Sequence, residues 1–163
     1  MLSVLLLAAL LLALAFGLVL LVGPPYVPTL AKQKLVALDM LGLRPGQTLL
    51  EIGCGDGRVV RAAAKRGLHV VGIELNPLLV LVTWLVTWRY RRQVRIIWGD
   101  AWRVKWPEAD GVFTFLLPRL MGKLDQRIAA WHTHPLRLAS FAFKIPGKRP
   151  VDARDGVFLY DYK

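Results

Sequence analysis

Apolar and polar positions divide the chain into an unbroken hydrophobic leader and a domain in which short apolar runs alternate with helical periodicities. Leu2 to Val22 carries no charge, and Ser3 is its only polar residue. Such a run is long enough to cross a bilayer as one helix. Gly23-Pro24-Pro25 ends it, because consecutive prolines remove donors and clash with the preceding turn. Ala13-Leu14-Ala15 has the small-x-small form of a signal-peptide cleavage site. No Lys or Arg precedes the run, however, and it continues past that site, which favours an uncleaved anchor. Tyr26-Val-Pro-Thr29 reads as a linker, with Thr29 as N-cap of a helix from Leu30 to about Leu41 that places Leu35, Leu38 and Leu41 on one face.

Beyond the turn at Arg44-Pro-Gly-Gln47, the pattern predicts a strand at Thr48–Ile52, a helix at Arg58–Lys65 and a Val-rich strand at His69–Glu74. Asn76 caps the next helix, with Pro77 in its first position. That helix, Pro77 to Trp88, is nearly all apolar and runs into Arg89-Tyr-Arg-Arg92. It is too short to span a membrane, so the expectation is a deeply buried helix, the alternative being one that touches the bilayer with its basic end at the head groups. Strands follow at Val94–Trp98 and Gly111–Leu117, the second closed by Pro118, then a helix from about Met121 to Trp131 and a strand from about Leu136 to Phe143. Lys144 to Asp155 reads as a loop, and Gly156–Tyr162 as a last strand. Alternation of strand and helix predicts an α/β sheet, mostly parallel, with helices on both faces. The organisation expected is an anchor at 2–22, a linker and helix at 23–47, and one domain at 48–163.

Charge changes the picture of where this domain sits. All 22 Lys and Arg and all 11 Asp and Glu follow the leader, so the net charge of +11 belongs to the domain. Lys32, Lys34 and Arg44 follow the apolar run and no positive charge precedes it, which predicts a single-pass membrane protein with its domain on the cytoplasmic side. The basic surface suits an anionic partner, and beside an anchor membrane lipid is the first candidate. Cys54 is the sole cysteine, so an internal disulfide is excluded.

The chemistry concentrates at Glu51-Ile-Gly-Cys-Gly-Asp-Gly57, where a strand enters a loop with Gly53, Gly55 and Gly57 on alternate positions. Strand, glycine loop and helix form the approach to a nucleotide in an open α/β sheet. The third glycine is one residue too early for a dinucleotide fingerprint, and no Gly-Lys-Ser/Thr is present for a triphosphate. Glu51 and Asp56 would repel phosphate and suit a cation such as an amino-acid ammonium. Glu74 ends the second strand, where its two oxygens suit a ribose diol, and Asp100 ends the third, where it suits an adenine amino group. Either acid could instead cap the helix that follows it.

Glu51 to Gly57, Gly72-Ile-Glu-Leu-Asn-Pro77 and Gly99-Asp-Ala101 together resemble the class I S-adenosylmethionine-dependent methyltransferases. Pro25-Tyr-Val-Pro-Thr29, Phe115-Leu-Leu-Pro118, Lys123-Leu124 and Val157-Phe-Leu-Tyr-Asp161 narrow the resemblance to the membrane-anchored protein-lysine methyltransferases of the adenine nucleotide translocase and ATP synthase c-subunit type. The resemblance implies a Rossmann-like class I methyltransferase sheet with an antiparallel C-terminal strand. It implies S-adenosyl-L-methionine as cofactor and a lysine of a protein at the membrane as acceptor. Cofactor contacts are implied at Glu51, Gly53, Cys54, Gly55, Asp56, Gly57, Glu74, Leu75, Asn76, Asp100 and Ala101, with Tyr26 and Thr29 contributed by the linker. Leu117 and Pro118 are the expected walls of the methyl-transfer pocket, since no carboxylate follows the fourth strand to act as a base. Tyr26 to Thr29 also reads as a plain linker and cap.

Other functions stay in view. A lipid or quinone methyltransferase and a catalytically silent binding domain share the same cofactor side. Nucleic-acid methylation is disfavoured by Leu116-Leu117-Pro118-Arg119, which lacks the Asp/Asn-Pro-Pro-Tyr/Phe that holds a flipped base. Trp98, Trp102 and Trp106 beside Arg103 and Lys105 could stack bases, but core and membrane-interface roles are the expectation. His132-Thr-His134 reads as a surface turn, and no metal is expected.

Overall fold

Short apolar strands that run parallel through the middle of a sheet need a helix layer on each face, and the chain supplies both. A computed structural model describes residues 1, 3–7, 10, 29 and 31–163. Residues 3–7 and 10 are helical, and their apolar side chains are exposed. The rest of the expected anchor, and Tyr26 in the linker, lie outside the described residues. Among the described residues no helix is long and apolar enough to cross a membrane.

The elements are α1 (Ala31–Leu41), β1 (Thr48–Ile52), α2 (Arg58–Lys65), β2 (His69–Glu74), α3 (Pro77–Thr87), β3 (Val94–Trp98), β4 (Gly111–Thr114), α4 (Pro118–Trp131), β5 (Leu136–Phe141), β6 (Asp152–Arg154) and β7 (Val157–Tyr162). A 3₁₀ turn, Trp88–Tyr90, extends α3. The sheet runs β3-β2-β1-β4-β5-β7-β6. The first five are parallel neighbours, while β7 pairs antiparallel with β5 and with β6. The sheet is thus mostly parallel with an antiparallel edge, as the resemblance implies.

The period of two sorts the core. Leu49, Phe113, Ala139 and Leu159 face α1 and α2, while Leu50, Val112, Leu138 and Tyr160 face α4. In α1 the buried positions are Ala37, Leu38, Met40 and Leu41; Leu35, expected on the same face, points outward.

Three boundaries differ from the pattern. β4 stops at Thr114, and Pro118 begins α4 instead of closing the strand, since its missing N–H costs nothing in a first turn. β5 stops at Phe141, because Ala142 takes a positive φ of 67°. Lys144 to Asp155 is not all loop. Asp155 and Gly156 both have positive φ, 48° and 77°, and turn β6 back onto β7 as a two-residue hairpin.

The largest departure is α3. The expected burial is overturned: only Thr83 and Thr87 are buried, and Leu81, Val82, Trp84, Leu85 and Val86 are exposed. The two hydroxyls find acceptors inside. α3 packs against β3, β2 and α2, and among the described residues no element covers its outer side.

The hairpin also fixes the segment before it. The Tyr160 hydroxyl, fully buried, accepts a hydrogen bond from the Ile145 N–H at 3.0 Å. Tyr160→Phe leaves that buried N–H without an acceptor and should cost about 1–3 kcal/mol. Urea unfolding should show a lower midpoint at unchanged slope.

Candidate functional site

The strand order reverses between β1 and β4, and the crevice at the carboxyl ends of these strands is where an open α/β sheet receives a ligand. The loop leaving β1 needs three glycines because Gly53, Gly55 and Gly57 all take left-handed φ, 75°, 54° and 75°. The N–H groups of Gly53 and Cys54 bond to the Ile73 carbonyl at 2.9 and 3.1 Å, so the loop folds back over the end of β2.

Two side chains then hold the loop. Glu74, at the end of β2 and 9 % exposed, accepts from the Gly55 N–H at 2.9 Å through one oxygen and from the Asn76 N–H at 2.8 Å through the other. Each oxygen keeps a further lone pair. Thr83 of α3 donates its hydroxyl to the Gly55 carbonyl at 2.6 Å. Sequence reasoning missed Thr83. The available signal was a pair of threonines, Thr83 and Thr87, one turn apart in an otherwise apolar helix. Thr83 also explains why position 57 is glycine: a Cβ there would stand 2.6 Å from Thr83 Cγ2 and 3.1 Å from its Cα. Gly72 plays the matching role beneath Cys54, where a Cβ would lie 2.8 Å from Sγ.

Glu51 is the least accommodated acid. It is 3 % exposed, and its Oε2 has no hydrogen-bond partner among the described residues. Burial pushes its carboxyl well above the usual range, Asp56 and Glu74 push the same way, and the Val60 N–H in the first turn of α2 pulls back. Gly57 offers α2 no side-chain cap. Asp56 is clasped by Arg58, whose Nε and Nη2 donate to it at 3.0 and 2.7 Å. Arg58 Nη1 also donates to the Thr29 carbonyl at 3.0 Å, which brings the buried Thr29 to the loop. Burial, then Glu51 and Glu74, raise the Cys54 thiol, so it is a protonated packing residue.

The remaining expected residues follow the sheet edge. Asn76 caps α3 through a bond from the Leu78 N–H at 2.9 Å. Leu75 presents its carbonyl to the Trp98 indole N–H at 3.1 Å. Asp100 accepts from the Trp102 N–H at 2.9 Å, and the Ala101 carbonyl accepts from Trp106 at 2.8 Å. Glu74 and Asp100 therefore do organise local turns, as the capping alternative has it, and Glu74 also holds the glycine loop. Across the crevice, Leu116 is the residue that faces Gly53, Leu117 is half-buried at the head of α4, and Pro118 is exposed. Trp106 is core, packed edge-on against Trp131 and under Arg127, so it is no stacking platform. His134 donates its Nε2–H to the Ala109 carbonyl at 3.1 Å in a surface turn with His132. Among the described residues no three His, Cys, Asp or Glu gather as metal ligands would.

A family profile described as the ANTKMT methyltransferase domain matches residues 51–152. The ATP synthase c-subunit lysine N-methyltransferase of Xenopus laevis is 34% identical over 143 residues, covering 84% of this chain and 63% of that protein. The adenine nucleotide translocase lysine N-methyltransferase of Mus musculus is 34% identical over 144 residues, covering 84% and 62%. The chain thus spans about three-fifths of the length of these relatives. Among solved structures, an RNA methyltransferase from Salinibacter ruber in complex with S-adenosyl-L-homocysteine superposes with a TM-score of 0.76 at 26% identity, over 83% of this chain and 92% of that one.

Thr83→Val keeps the shape and removes the hydroxyl. It should cost about 1 kcal/mol, read as roughly fivefold faster hydrogen exchange at the Gly55 and Gly57 amides. For Glu51 the sign is set by its raised pKa: the folded state holds a proton that the unfolded state releases above about pH 4. Stability therefore falls as pH rises from there through the folded-state pKa. Glu51→Gln should gain stability relative to wild type as pH is raised from 4 to neutral, which thermal unfolding across that range will show.

Proposed function

Because this chain belongs to the ANTKMT methyltransferase-domain family, we propose that it transfers a methyl group from S-adenosyl-L-methionine to a lysine side chain of a membrane-associated protein. The observation that carries the reading is Glu51, whose buried oxygen lacks a partner beside a glycine loop in which three glycines are forced. A buried carboxyl held above its usual range suits a cationic ligand, and the sheet edge offers Glu74 and Asp100 for the polar parts of a nucleoside. In this reading Glu51 meets the ammonium, Glu74 the ribose diol and Asp100 the adenine, with Gly53 to Gly57, Leu75, Asn76 and Ala101 providing backbone contact and Thr29 and Tyr26 closing the site. Bound there, the cofactor would supply an activated methyl for in-line displacement.

The chain's own residues must deliver a neutral lysine amine. With a reference pKa near 10.4, deprotonation at pH 7 costs about 4–5 kcal/mol. No acid lies between Phe115 and Arg119, and the first turn of α4 contains none. The positive end of that helix, with Arg119 in it, disfavours a second charge nearby and so lowers the acceptor's pKa. Leu116, Leu117 and Pro118 exclude water and orient the amine. This is catalysis by positioning and desolvation, without a general base.

We place the domain on the cytoplasmic side of a membrane, tethered by residues 2–22 and held to lipid by its basic surface. A second reading, RNA methylation, draws on the likeness to the Salinibacter enzyme and on the charge of +11. The sequence after β4 and the burial of Trp106 weigh against it.

One incubation separates these readings. Labelled S-adenosyl-L-methionine added to membranes with the full chain should place label in protein, recovered as methyllysine on hydrolysis. Label in RNA or in the organic extract would overturn the lysine reading in favour of nucleic acid or lipid. Calorimetry should show binding that Glu51→Gln weakens by about 10- to 100-fold, the cost of a charged hydrogen bond. Binding without any methyl transfer would leave a silent cofactor-binding domain.

A further inference from the structure

The exposed side of α3 is the feature that methyl transfer does not explain. Leu81, Trp84, Leu85 and Trp88 stand at i, i+3, i+4 and i+7 and form one outward stripe, broadened by Val82 and Val86. Trp84 and Trp88 meet edge-on at 4.5 Å. Trp98, 66 % exposed, is tied by its indole N–H to Leu75 at the start of the helix. The stripe thus carries exposed tryptophan at both ends. Arg89, Arg91 and Arg92 are exposed at its C-terminal end and Arg95 on the neighbouring strand. Among the described residues none of the four forms an ion pair, and Arg91 lies 5.1 Å from the Trp88 ring.

We propose that α3 is a membrane seat: its outer stripe lies in the interface of an anionic bilayer, with Arg89, Arg91, Arg92 and Arg95 on the lipid phosphates. A contiguous apolar patch of this kind marks a binding surface. Apolar side chains rimmed by tryptophan and arginine match the chemistry of the interfacial zone, where indoles sit at head-group level and basic residues gain from anionic lipid. A second copy of the chain fits less well, because α3 carries no acid to meet the four arginines of its partner. An acidic protein would meet the arginines and leave the tryptophans without a counterpart. The stripe runs from Leu81 past the C-terminal end of α3, and exposed Trp98 stands beside the helix start, so the helix lies along the surface. The Glu74–Asn76 turn, where α3 begins, is then held at the bilayer. If methyl transfer is the function, acceptor lysines at head-group depth are the ones within reach; the seat itself does not depend on that function.

The test must distinguish α3 from the apolar leader, so it uses a position-specific probe on the full chain. Leu85→Cys takes an environment-sensitive maleimide fluorophore, the native Cys54 being buried. Gln126→Cys, exposed on α4 across the sheet, is the control. The proteins are reconstituted into phosphatidylcholine vesicles with or without phosphatidylglycerol. The expected result is a blue shift at position 85, greater with phosphatidylglycerol and quenched by brominated lipid, with solvent-like emission at position 126. Changing Arg89, Arg91 and Arg92 together to Glu should abolish the phosphatidylglycerol dependence while the protein stays on the vesicle. Solvent-like emission at position 85 in both vesicles overturns the proposal. So does a blue shift that bromolipid leaves unquenched and that dilution in detergent removes, which would assign the stripe to a second copy.

Discussion

Thr83 and a Cβ at position 57 would occupy the same space, and this exclusion fixes more of the site than any single attraction does. It requires glycine at 57, and that glycine lets the chain pass from the β1 loop into α2 with a left-handed residue at the junction. The same threonine donates to the Gly55 carbonyl, while Glu74 draws in the Gly55 amide from the other side. The loop is therefore clamped at one residue by α3 and by the end of β2. A Cβ at 72 would in turn collide with Cys54, so the strand beneath is as constrained as the helix beside it. Loop, strand and helix are a single steric unit.

The electrostatics of that unit run against the rest of the molecule. A chain of net charge +11 concentrates Glu51, Asp56 and Glu74 around one turn. The three are not equivalent. Asp56 has Arg58 and Glu74 has two backbone amides, whereas Glu51 has the Val60 amide and an oxygen left over. Mutual repulsion falls on the member that is buried deepest and bonded least.

Much of this was legible because strand ends are where period-two runs stop. Glu51, Glu74 and Asp100 could be set side by side from spacing alone, and Asn76-Pro77 marked a helix start that the structure bears out. What failed has a common cause. An apolar run says that a segment avoids water, not what it packs against, so α3 read as buried when its apolar side faces outward. Thr83 carried no motif, since its partner is a backbone carbonyl 28 residues away. The Asp155-Gly156 turn was present as a dipeptide, but it lay in a polar stretch whose three-residue strand was too short to show alternation. Phe115-Leu-Leu-Pro118 looked like more strand because proline marks either the end of one element or the first turn of the next.

The burial of Cys54 has a chemical corollary. Oxidants attack thiolates, and they need a path to the sulfur. Here the only sulfhydryl of the chain lies in the middle of the glycine loop, packed over Gly72 with two carboxylates discouraging ionisation. A cysteine in such a loop could have been a redox brake on the site. The packing makes it inert, so peroxide and disulfide exchange have no handle there, and the fold of the loop is insulated from the oxidation state of its surroundings.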